Sequence, residues 1–313
     1  MLHQIPLANP LEDQFADLPN GMRICYRSYG QNERPTIVLI AGLGLQLVSW
    51  PMTFIEGLVA EGLRVLTLDN RDMGRSTHLT QTPPPARWRL LMRMVPNAHY
   101  QIADMADDVA QLLEVLGISK AHVLGMSMGG MIAQNFAAQH PEKVLSLTSI
   151  FSTTGNTRVG FAAGSTLLRM LFRKAPLTLE DAQNDYVHLM RHIGNSKVPG
   201  IELAWRNYIA QAWLRANHVQ AQQGYERQIA AIVASGDRSA HLYRIDTPTL
   251  VIHGDQDRIV HPSGGTATAR SISGAQMQTL MGMRHQIDES ITPDLLRLVI
   301  GHVRAAQHAA ATN

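Results

Sequence analysis

A serine in a glycine-rich turn is the residue of this sequence best suited to nucleophilic chemistry. It lies in Gly125-Met126-Ser127-Met128-Gly129-Gly130, directly after a predicted strand and directly before a predicted helix at 131–139. This context is typical of a nucleophile elbow, a sharp turn that lifts the serine hydroxyl clear of a sheet. Small residues are needed at 125 and 129 because side chains there would collide across so tight a turn. A serine that only caps the helix is the alternative, and a phosphate-binding loop fits less well because no lysine follows the glycines.

A serine hydroxyl is a weak nucleophile and needs a base, together with a group that orients the base. An acidic pair, Asp255 and Asp257, follows the predicted strand at 249–253, and His285 follows the last predicted strand. Serine, acid and histidine in this chain order are typical of one triad-bearing fold, whereas other triad folds use different orders. The sequence therefore predicts Ser127 as nucleophile and His285 as general base.

Three other histidines compete with His285, which is chosen among 14 by its position. His122 and His253 lie within predicted buried strands, which favours a structural role for each. His261 precedes Pro262 in a predicted loop.

A second glycine-rich segment, Ala41-Gly42-Leu43-Gly44-Leu45, follows the first predicted central strand. In a fold with a nucleophile elbow, backbone amides from such a loop and from the residue after the serine bind the oxyanion. We therefore predict the Leu43 and Met128 amides as the two donors. A dinucleotide-binding loop is excluded because Leu47 stands where its third glycine would be.

The elements that position these residues follow from the hydrophobic pattern. Five runs rich in Val, Ile, Leu or Thr are typical of strands buried on both faces, and they lie at 36–40, 64–68, 121–124, 144–148 and 249–253. Weaker edge strands are predicted at 22–26 and 276–280. Apolar residues from Met105 to Leu116 recur at helical spacing before Gly117 and indicate a crossover helix.

The strand pattern stops between about 154 and 242, where apolar residues suggest several helices instead. They include Leu167, Leu168, Met170, Leu171, Leu189, Met190, Trp205 and Trp213. We predict a helical cap at 154–242 inserted into a core formed by 1–153 and 243–313. The cap would emerge at the sheet edge where ligands bind in open α/β folds. A run of three prolines at 83–85 and the apolar segment after it predict a stiff excursion, which either packs near the cap or binds a surface.

These motifs together make the chain resemble the α/β-hydrolase superfamily, in its group of capped serine esterase-like hydrolases, over nearly the whole length. The resemblance implies an α/β fold with a mostly parallel central sheet flanked by helices. It favours Asp257 as the acid, three residues after Gly254, while Asp255 stays open as the alternative or as a brace of the turn. Asp72 stands where the family often has glycine, in a loop expected to brace the site, and Ala41 stands where it often has histidine.

Composition excludes several other classes. The 313 residues are 45% hydrophobic and 17% charged, which suits a large buried core. A net charge of +2 without a basic motif argues against nucleic acid. Cys25 is the only cysteine, so an intramolecular disulfide and a thiolate metal site are both excluded. No run of about 18 apolar residues predicts a membrane span, and the N-terminal residues lack a secretory pattern, so a cytoplasmic location is expected.

The expected function is that of a serine hydrolase that cleaves an ester-type bond in a hydrophobic small molecule through an acyl-enzyme, with water as second substrate. No cofactor and no metal are expected, and a homodimer is compatible with the sequence. The alternatives are a hydrolase-fold ligand receptor with little turnover, or a related acyltransferase, perhydrolase or carbon–carbon bond hydrolase.

Overall fold

The computed structural model describes residues 12–95, 98–164, 166 and 175–312, and its core is an eight-stranded sheet. The strands are β1 (Gln14–Asp17), β2 (Arg23–Tyr29), β3 (Thr36–Ile40), β4 (Arg64–Leu68), β5 (Ala121–Met126), β6 (Val144–Ile150), β7 (Thr249–Gly254) and β8 (Gln276–Leu280). In space they follow the order β1-β2-β4-β3-β5-β6-β7-β8. The pairs β1·β2 and β2·β4 are antiparallel, and the pairs from β4 to β8 are parallel. The predicted mostly parallel sheet is confirmed.

The central strands are rich in branched apolar residues because helices cover both faces of the sheet. Strands β3, β4, β5 and β7 are buried along their whole length. The five predicted central strands and the two weaker strands are all present. The weaker strand β8 lies at an edge as predicted, but the edge position predicted for β2 is wrong, because β1 pairs with its outer side. The prediction missed β1, a four-residue strand whose side chains are mostly exposed, so it lacks a strong apolar pattern.

The helices are α1 (Met52–Ala60), α2 (Arg87–Leu91), α3 (Ile102–Val115), α4 (Met128–Gln139), α5 (Leu179–Ile193), α6 (Ile201–Arg215), α7 (His218–Ser235), α8 (Ser239–Leu242), α9 (Ser263–Ser271) and α10 (Thr292–Thr312). Helices α3 and α4 pack on one face of the sheet, and α1 and α10 pack on the other. Helix α3 is the predicted crossover helix, and Gly117 follows it with a φ of 67°.

Helices α5, α6 and α7 form the inserted cap between β6 and β7. Helices α5 and α6 pack through a small apolar cluster of Val187, Met190, Ile193, Ile201 and Trp205. Helix α7 packs on the main hydrophobic core, to which it contributes the buried Ala231. The predicted apolar positions Leu167, Leu168, Met170 and Leu171 lie outside the described residues. Within the described part of the chain, no helix is long and apolar enough to cross a membrane.

The excursion after the three prolines packs on the cap. Leu90 of α2 and Val95 are buried against Ala230 of α7. Trp88 and Met92 are more than half exposed, and the exposed Arg89 lies over the Trp88 ring, so the outward side of this segment is partly charged. The predicted packing near the cap is therefore confirmed for the inner face of this segment.

Candidate active site

Ser127 lies in the sharp turn between β5 and α4, with φ 55° and ψ −120°. This left-handed φ is unfavourable for a residue with a side chain, so the surrounding structure must hold it. The Ser127 amide donates to the Ile150 carbonyl of the neighbouring strand at 2.9 Å, which fixes the start of the turn.

The glycines around Ser127 are required by close backbone contacts. A methyl group at Gly125 would lie 2.0 Å from the Gly129 carbonyl oxygen, and one at Gly129 would lie 2.0 Å from the Ile40 carbonyl oxygen. At Gly130 it would lie 2.6 Å from Ser152 Cβ. Separations this short cannot be relieved by rotating a side chain at the first two positions, since the neighbouring atoms are backbone.

The three side chains predicted to act together form one hydrogen-bonded line. Ser127 Oγ lies 2.9 Å from His285 Nε2, and His285 Nδ1 lies 2.7 Å from Asp257 Oδ2. An ionised carboxylate only accepts, so Nδ1 carries the proton and Nε2 is the bare nitrogen to which the Ser127 hydroxyl donates. This tautomer leaves the imidazole ready to take the serine proton.

Asp257 is held ionised by its surroundings. Burial raises the pKa of its carboxyl, but the electrostatic attraction of His285 and hydrogen bonds from His253 and His285 outweigh burial and hold that pKa well below the usual range. The other oxygen, Oδ1, accepts from the Ile259 and Val260 amides at 2.8 and 3.0 Å. The carboxylate is thereby fixed in the plane that points Oδ2 at His285.

Asp255, the alternative acid, points elsewhere. Its Oδ1 accepts from the Gly282 amide at 2.6 Å, and its Oδ2 accepts from Gln256. Asp255 therefore braces the loop that leads to His285, while Asp257 contacts the imidazole itself.

The three competing histidines have partners of their own. His253 Nε2 lies 2.9 Å from the Val260 carbonyl oxygen and 3.3 Å from Asp257 Oδ2, so it supports the acid from the buried side. His122 Nδ1 is hydrogen-bonded to Ser146 Oγ at 2.8 Å. Burial is the main reason why the pKa of His122 falls to about 4, and the nearby His302 lowers it further. His261 is exposed, and its Nδ1 lies 3.0 Å from Ser263 Oγ.

The segment 41–45, called the oxyanion loop below after its predicted role, lies against Ser127. A methyl group at Gly42 would lie 3.3 Å from Ser127 Cβ. The Gly44 and Leu45 amides have acceptors, whereas no acceptor for the Leu43 amide is found among the described residues. The Met128 amide opens α4, where the first N–H groups lack partners within the helix. Both predicted donors are thus available to a ligand.

Comparison with known proteins agrees with this geometry. Residues 35–285 match a family described as alpha/beta hydrolase fold. The chain belongs to this family. It is 27% identical over 290 residues to rhodomycin D methylesterase DnrP of Streptomyces peucetius, covering 86% of this chain and 91% of that protein. It is 23% identical to the bifunctional esterase/perhydrolase DCH of Acinetobacter calcoaceticus, covering 90% and 97% of the two chains.

The solved structures support the same fold. The enol-lactonase from Burkholderia xenovorans superposes with a TM-score of 0.72 at 23% identity, covering 93% of this chain and 100% of that one.

The loop after β4 braces the site of this α/β hydrolase, as expected. Asn70 donates to the Ala41 carbonyl at 3.0 Å, which anchors the oxyanion loop despite the missing histidine. Asp69 accepts from the Leu47 amide at 2.7 Å. Asp72 has a φ of 69°, so it adopts a backbone conformation that glycine would favour.

Cap residues complete this bracing, and the sequence did not single them out. Arg215, at the end of α6, pairs with Asp69 at 2.9 Å and donates to Gln46 at 2.7 Å. Arg227 of α7 pairs with Asp72 at 2.6 Å. Arginine in a helical pattern usually indicates a solvated face, so the sequence carries no signal for these burials.

Phe151 is a further site residue that the sequence did not indicate. It follows β6 with a φ of 36°, and its ring centroid lies 4.5 Å from that of His285. A buried aromatic residue with positive φ is uncommon and strained. The strain places the ring against the imidazole, where it limits the positions His285 can adopt.

A cavity of about 100 Å³ lies where the cap meets the oxyanion loop. Its wall includes Gly44 from that loop, the adjoining Gln46 and mostly apolar or aromatic residues from the cap, among them Ile209, Trp213 and Tyr225. Trp50 is instead buried in the core and stacks on Phe54, so it does not line this cavity. Across the described ranges, no group of three or more His, Cys, Asp or Glu residues could hold a metal ion.

Proposed function

We propose that this protein is a serine hydrolase that cleaves an ester-type bond in an apolar small molecule through an acyl-enzyme. The observation that carries the proposal is the unbroken line from Ser127 through His285 to Asp257, with bonds of 2.9 and 2.7 Å. Few structural roles require a strained serine, a free imidazole nitrogen and a buried carboxylate in this order.

In the first half-reaction, Ser127 Oγ attacks the carbonyl carbon and its proton passes to His285 Nε2. The carbonyl π electrons move to the oxygen, giving a tetrahedral oxyanion. When the C–O bond to the leaving group breaks, His285 returns the proton to the departing alkoxide oxygen, and the acyl group stays on Ser127.

In the second half-reaction, His285 takes a proton from water as the hydroxide attacks the acyl carbon. Collapse of the second tetrahedral species returns the proton to Ser127 and releases the acid. Asp257 stays ionised throughout and stabilises the imidazolium formed in each step. The Leu43 and Met128 amides hold the oxyanion, helped by the positive end of the α4 dipole.

The cap and the relatives support the proposed substrate class. We assign 1–153 and 243–313 to the hydrolase core and 154–242 to the cap. The cavity between cap and oxyanion loop has a mostly apolar and aromatic wall. Ser127 and His285 do not line it, so it would receive the part of an apolar acyl or alcohol group that lies away from the reacting carbonyl. A methylesterase and an esterase among the relatives support ester chemistry.

Covalent labelling with a fluorophosphonate tests the nucleophile. The wild type and the control Ser273→Ala, at an exposed serine, are expected to be labelled, and Ser127→Ala is expected to lose all labelling. His285→Ala should be labelled far more slowly because the hydroxyl has lost its base. Labelling that survives Ser127→Ala would show that another residue is the nucleophile.

Turnover tests the enzyme against a receptor with the same fold. With p-nitrophenyl esters of increasing acyl length, we expect many turnovers per site and a rise in kcat/KM from acetate to longer apolar chains. Release of one equivalent of p-nitrophenol, followed by none, would contradict a hydrolase. Water is the acyl acceptor in this assay, and no partner other than the small molecule is needed.

A further inference from the structure

One cap residue contacts the backbone of the oxyanion loop directly. Gln228, in α7, is fully buried. Its Oε1 accepts from the Gly44 amide at 3.0 Å, and its Nε2 donates to the Arg71 carbonyl at 2.9 Å. The side-chain amide therefore links the oxyanion loop to the loop after β4, and both of its ends are used.

The Gly44 amide belongs to the centre of a tight turn. The Leu45 amide donates to the Gly42 carbonyl at 3.2 Å, so Leu43 and Gly44 are the two central residues, and Gly44 has a φ of 70°. Leu43 is not among the residues with a positive φ, so the turn is of type II, which differs from type I mainly in the orientation of its central peptide. The bond from Gly44 to Gln228 fixes this central peptide. The Leu43 amide belongs to the preceding peptide and is joined to the central one only through the Leu43 Cα, so a fixed central peptide restricts the rotation of the Leu43 amide.

Leu43 is thus held from both sides. On its N-terminal side, Asn70 of the core binds the Ala41 carbonyl at 3.0 Å. On its C-terminal side, Gln228 of the cap binds the Gly44 amide. The Leu43 amide, which has no acceptor among the described residues, lies between these two anchors.

Helix α7 is itself fixed at this point, so Gln228 is a rigid anchor. The adjacent Arg227 makes a buried ion pair with Asp72. One turn earlier, a methyl group at Gly224 would lie 2.1 Å from the Asp72 carbonyl oxygen, so helix and loop touch backbone to backbone. Gly224, Arg227 and Gln228 lie on one helix face because they are three and four positions apart.

We infer that Gln228 is a positioning residue: by binding the Gly44 amide, the cap holds the Leu43 amide in the direction needed to bind the oxyanion. This rests on the proposed function, since the oxyanion exists only if Ser127 attacks a carbonyl. The cap then contributes to the chemical step as well as to substrate binding.

The test compares Gln228→Met with the control Gln223→Met, a half-buried position on the same helix. Methionine keeps the volume of glutamine and removes both hydrogen bonds. In Gln228→Met we expect kcat to fall about tenfold, which is less than the loss caused by complete removal of an oxyanion donor. The KM should stay within about twofold of the wild-type value. The control should keep both constants.

A tetrahedral mimic separates positioning from general destabilisation. A phenyl trifluoromethyl ketone adds to Ser127 and places an alkoxide where the oxyanion forms. Its inhibition constant should rise in Gln228→Met by about the factor by which kcat/KM falls, because both depend on the same donors. An unchanged kcat, or a loss confined to KM, would overturn the inference.

A second variant covers the case in which Gln228→Met folds poorly. In Gln228→Glu, a protonated carboxyl can accept from Gly44 and donate to the Arg71 carbonyl as the amide does, whereas the ionised form faces that carbonyl with a negative charge. The ratio of its kcat to that of wild type should therefore rise as the pH falls. A ratio that is constant with pH would overturn the inference.

Hydrogen exchange separates this inference from the proposed function. Wild type that is neither labelled nor active would refute the function, while the amides of 42–46 could still be measured. Faster exchange there in Gln228→Met, with unchanged exchange in Gln223→Met, supports the anchoring contact. Active wild type together with unchanged exchange and kcat in Gln228→Met would refute the inference alone.

Discussion

Asp72 and Arg227 are joined by two hydrogen bonds of 2.6 and 2.9 Å, although they lie 155 positions apart and belong to core and cap. Both side chains are buried. Tyr100 adds a third bond to the Asp72 carboxylate at 2.8 Å. Burial raises the pKa of Asp72, but these partners and the Leu79 amide outweigh it and lower that pKa. The ion pair therefore fixes α7 on the loop after β4 with the carboxylate charged.

Removing the arginine should be more costly than removing both charges. In Arg227→Met, Asp72 remains buried without its main partner, and we expect the free energy of unfolding to fall by about 3–5 kcal/mol. The double variant Asp72→Asn/Arg227→Met should recover part of this loss, because no uncompensated charge remains. Urea unfolding of the wild type, of the single variants Arg227→Met and Asp72→Asn, and of the double variant at neutral pH measures this coupling.

The control is Arg87→Met. Arg87 lies in α2 and forms an ion pair with Glu226 of α7, the helix that also carries Arg227. That pair is partly exposed, and we expect a loss of less than about 1 kcal/mol. If Arg227→Met were no more destabilising than Arg87→Met, the buried pair would not anchor the cap.

The second prediction concerns the acid. In Asp257→Asn the amide can donate to His285 Nδ1 and thereby favour the wrong tautomer, so kcat should fall by about 10⁴-fold. Asp255→Asn keeps an oxygen for the Gly282 amide, and its kcat should stay within about tenfold of wild type. Hydrolysis of p-nitrophenyl butyrate measures both. A larger loss for Asp255→Asn would reverse the assignment.

The sheet and the elements that bring Ser127, His285 and Asp257 together could be predicted because their signals are local in sequence. The glycines around Ser127 are required by contacts within one strand–turn–helix unit, and the buried strands carry continuous apolar runs. The resemblance favoured Asp257 over Asp255, and the geometry supports the same choice, since the two residues lie in one loop but Asp255 faces the Gly282 amide and Asp257 faces the imidazole.

The bracing from the cap could not be predicted for a physical reason. Gln228 and Arg227 contact residues more than 150 positions away, and these contacts depend on how α7 is rotated on the core. A glutamine or arginine in a helix is usually solvated, so its residue type indicates no burial. The position of Phe151 could not be predicted either, because its positive φ is imposed by packing and is not a preference of phenylalanine.

The third prediction concerns the pH dependence of stability. Burial lowers the pKa of His122 from 6.5 to about 4. Between these values the unfolded chain binds a proton that the folded protein does not, so stability falls as the pH drops through this window. Full passage through the window should cost on the order of 3 kcal/mol, and no further loss from His122 is expected below it.

Comparison of the wild type with His122→Gln isolates this effect. The stability advantage of the wild type should shrink by about 2 kcal/mol between about pH 7.5 and pH 5, measured by urea unfolding. Ser146→Ala loses the hydrogen bond to His122 but keeps the imidazole, so it should retain the wild-type pH dependence. An advantage that is constant with pH would show that His122 titrates normally.

The last prediction concerns Gly44, whose φ of 70° and close contact with the cap both exclude a side chain. A methyl group there would lie 2.8 Å from Cδ2 of Tyr225, so Gly44→Ala must displace either the ring or the oxyanion loop. Displacement of the loop moves the neighbouring Leu43 amide, and we expect kcat/KM to fall by about tenfold or more. The control is Gly62→Ala, at a φ of 80° with no atom within 4 Å of the added methyl group. Both variants carry the backbone strain of about 1–2 kcal/mol, measurable as lost stability, but only Gly44→Ala should lose activity. Equal activities would mean that the loop tolerates the displacement and that its position does not limit the reaction.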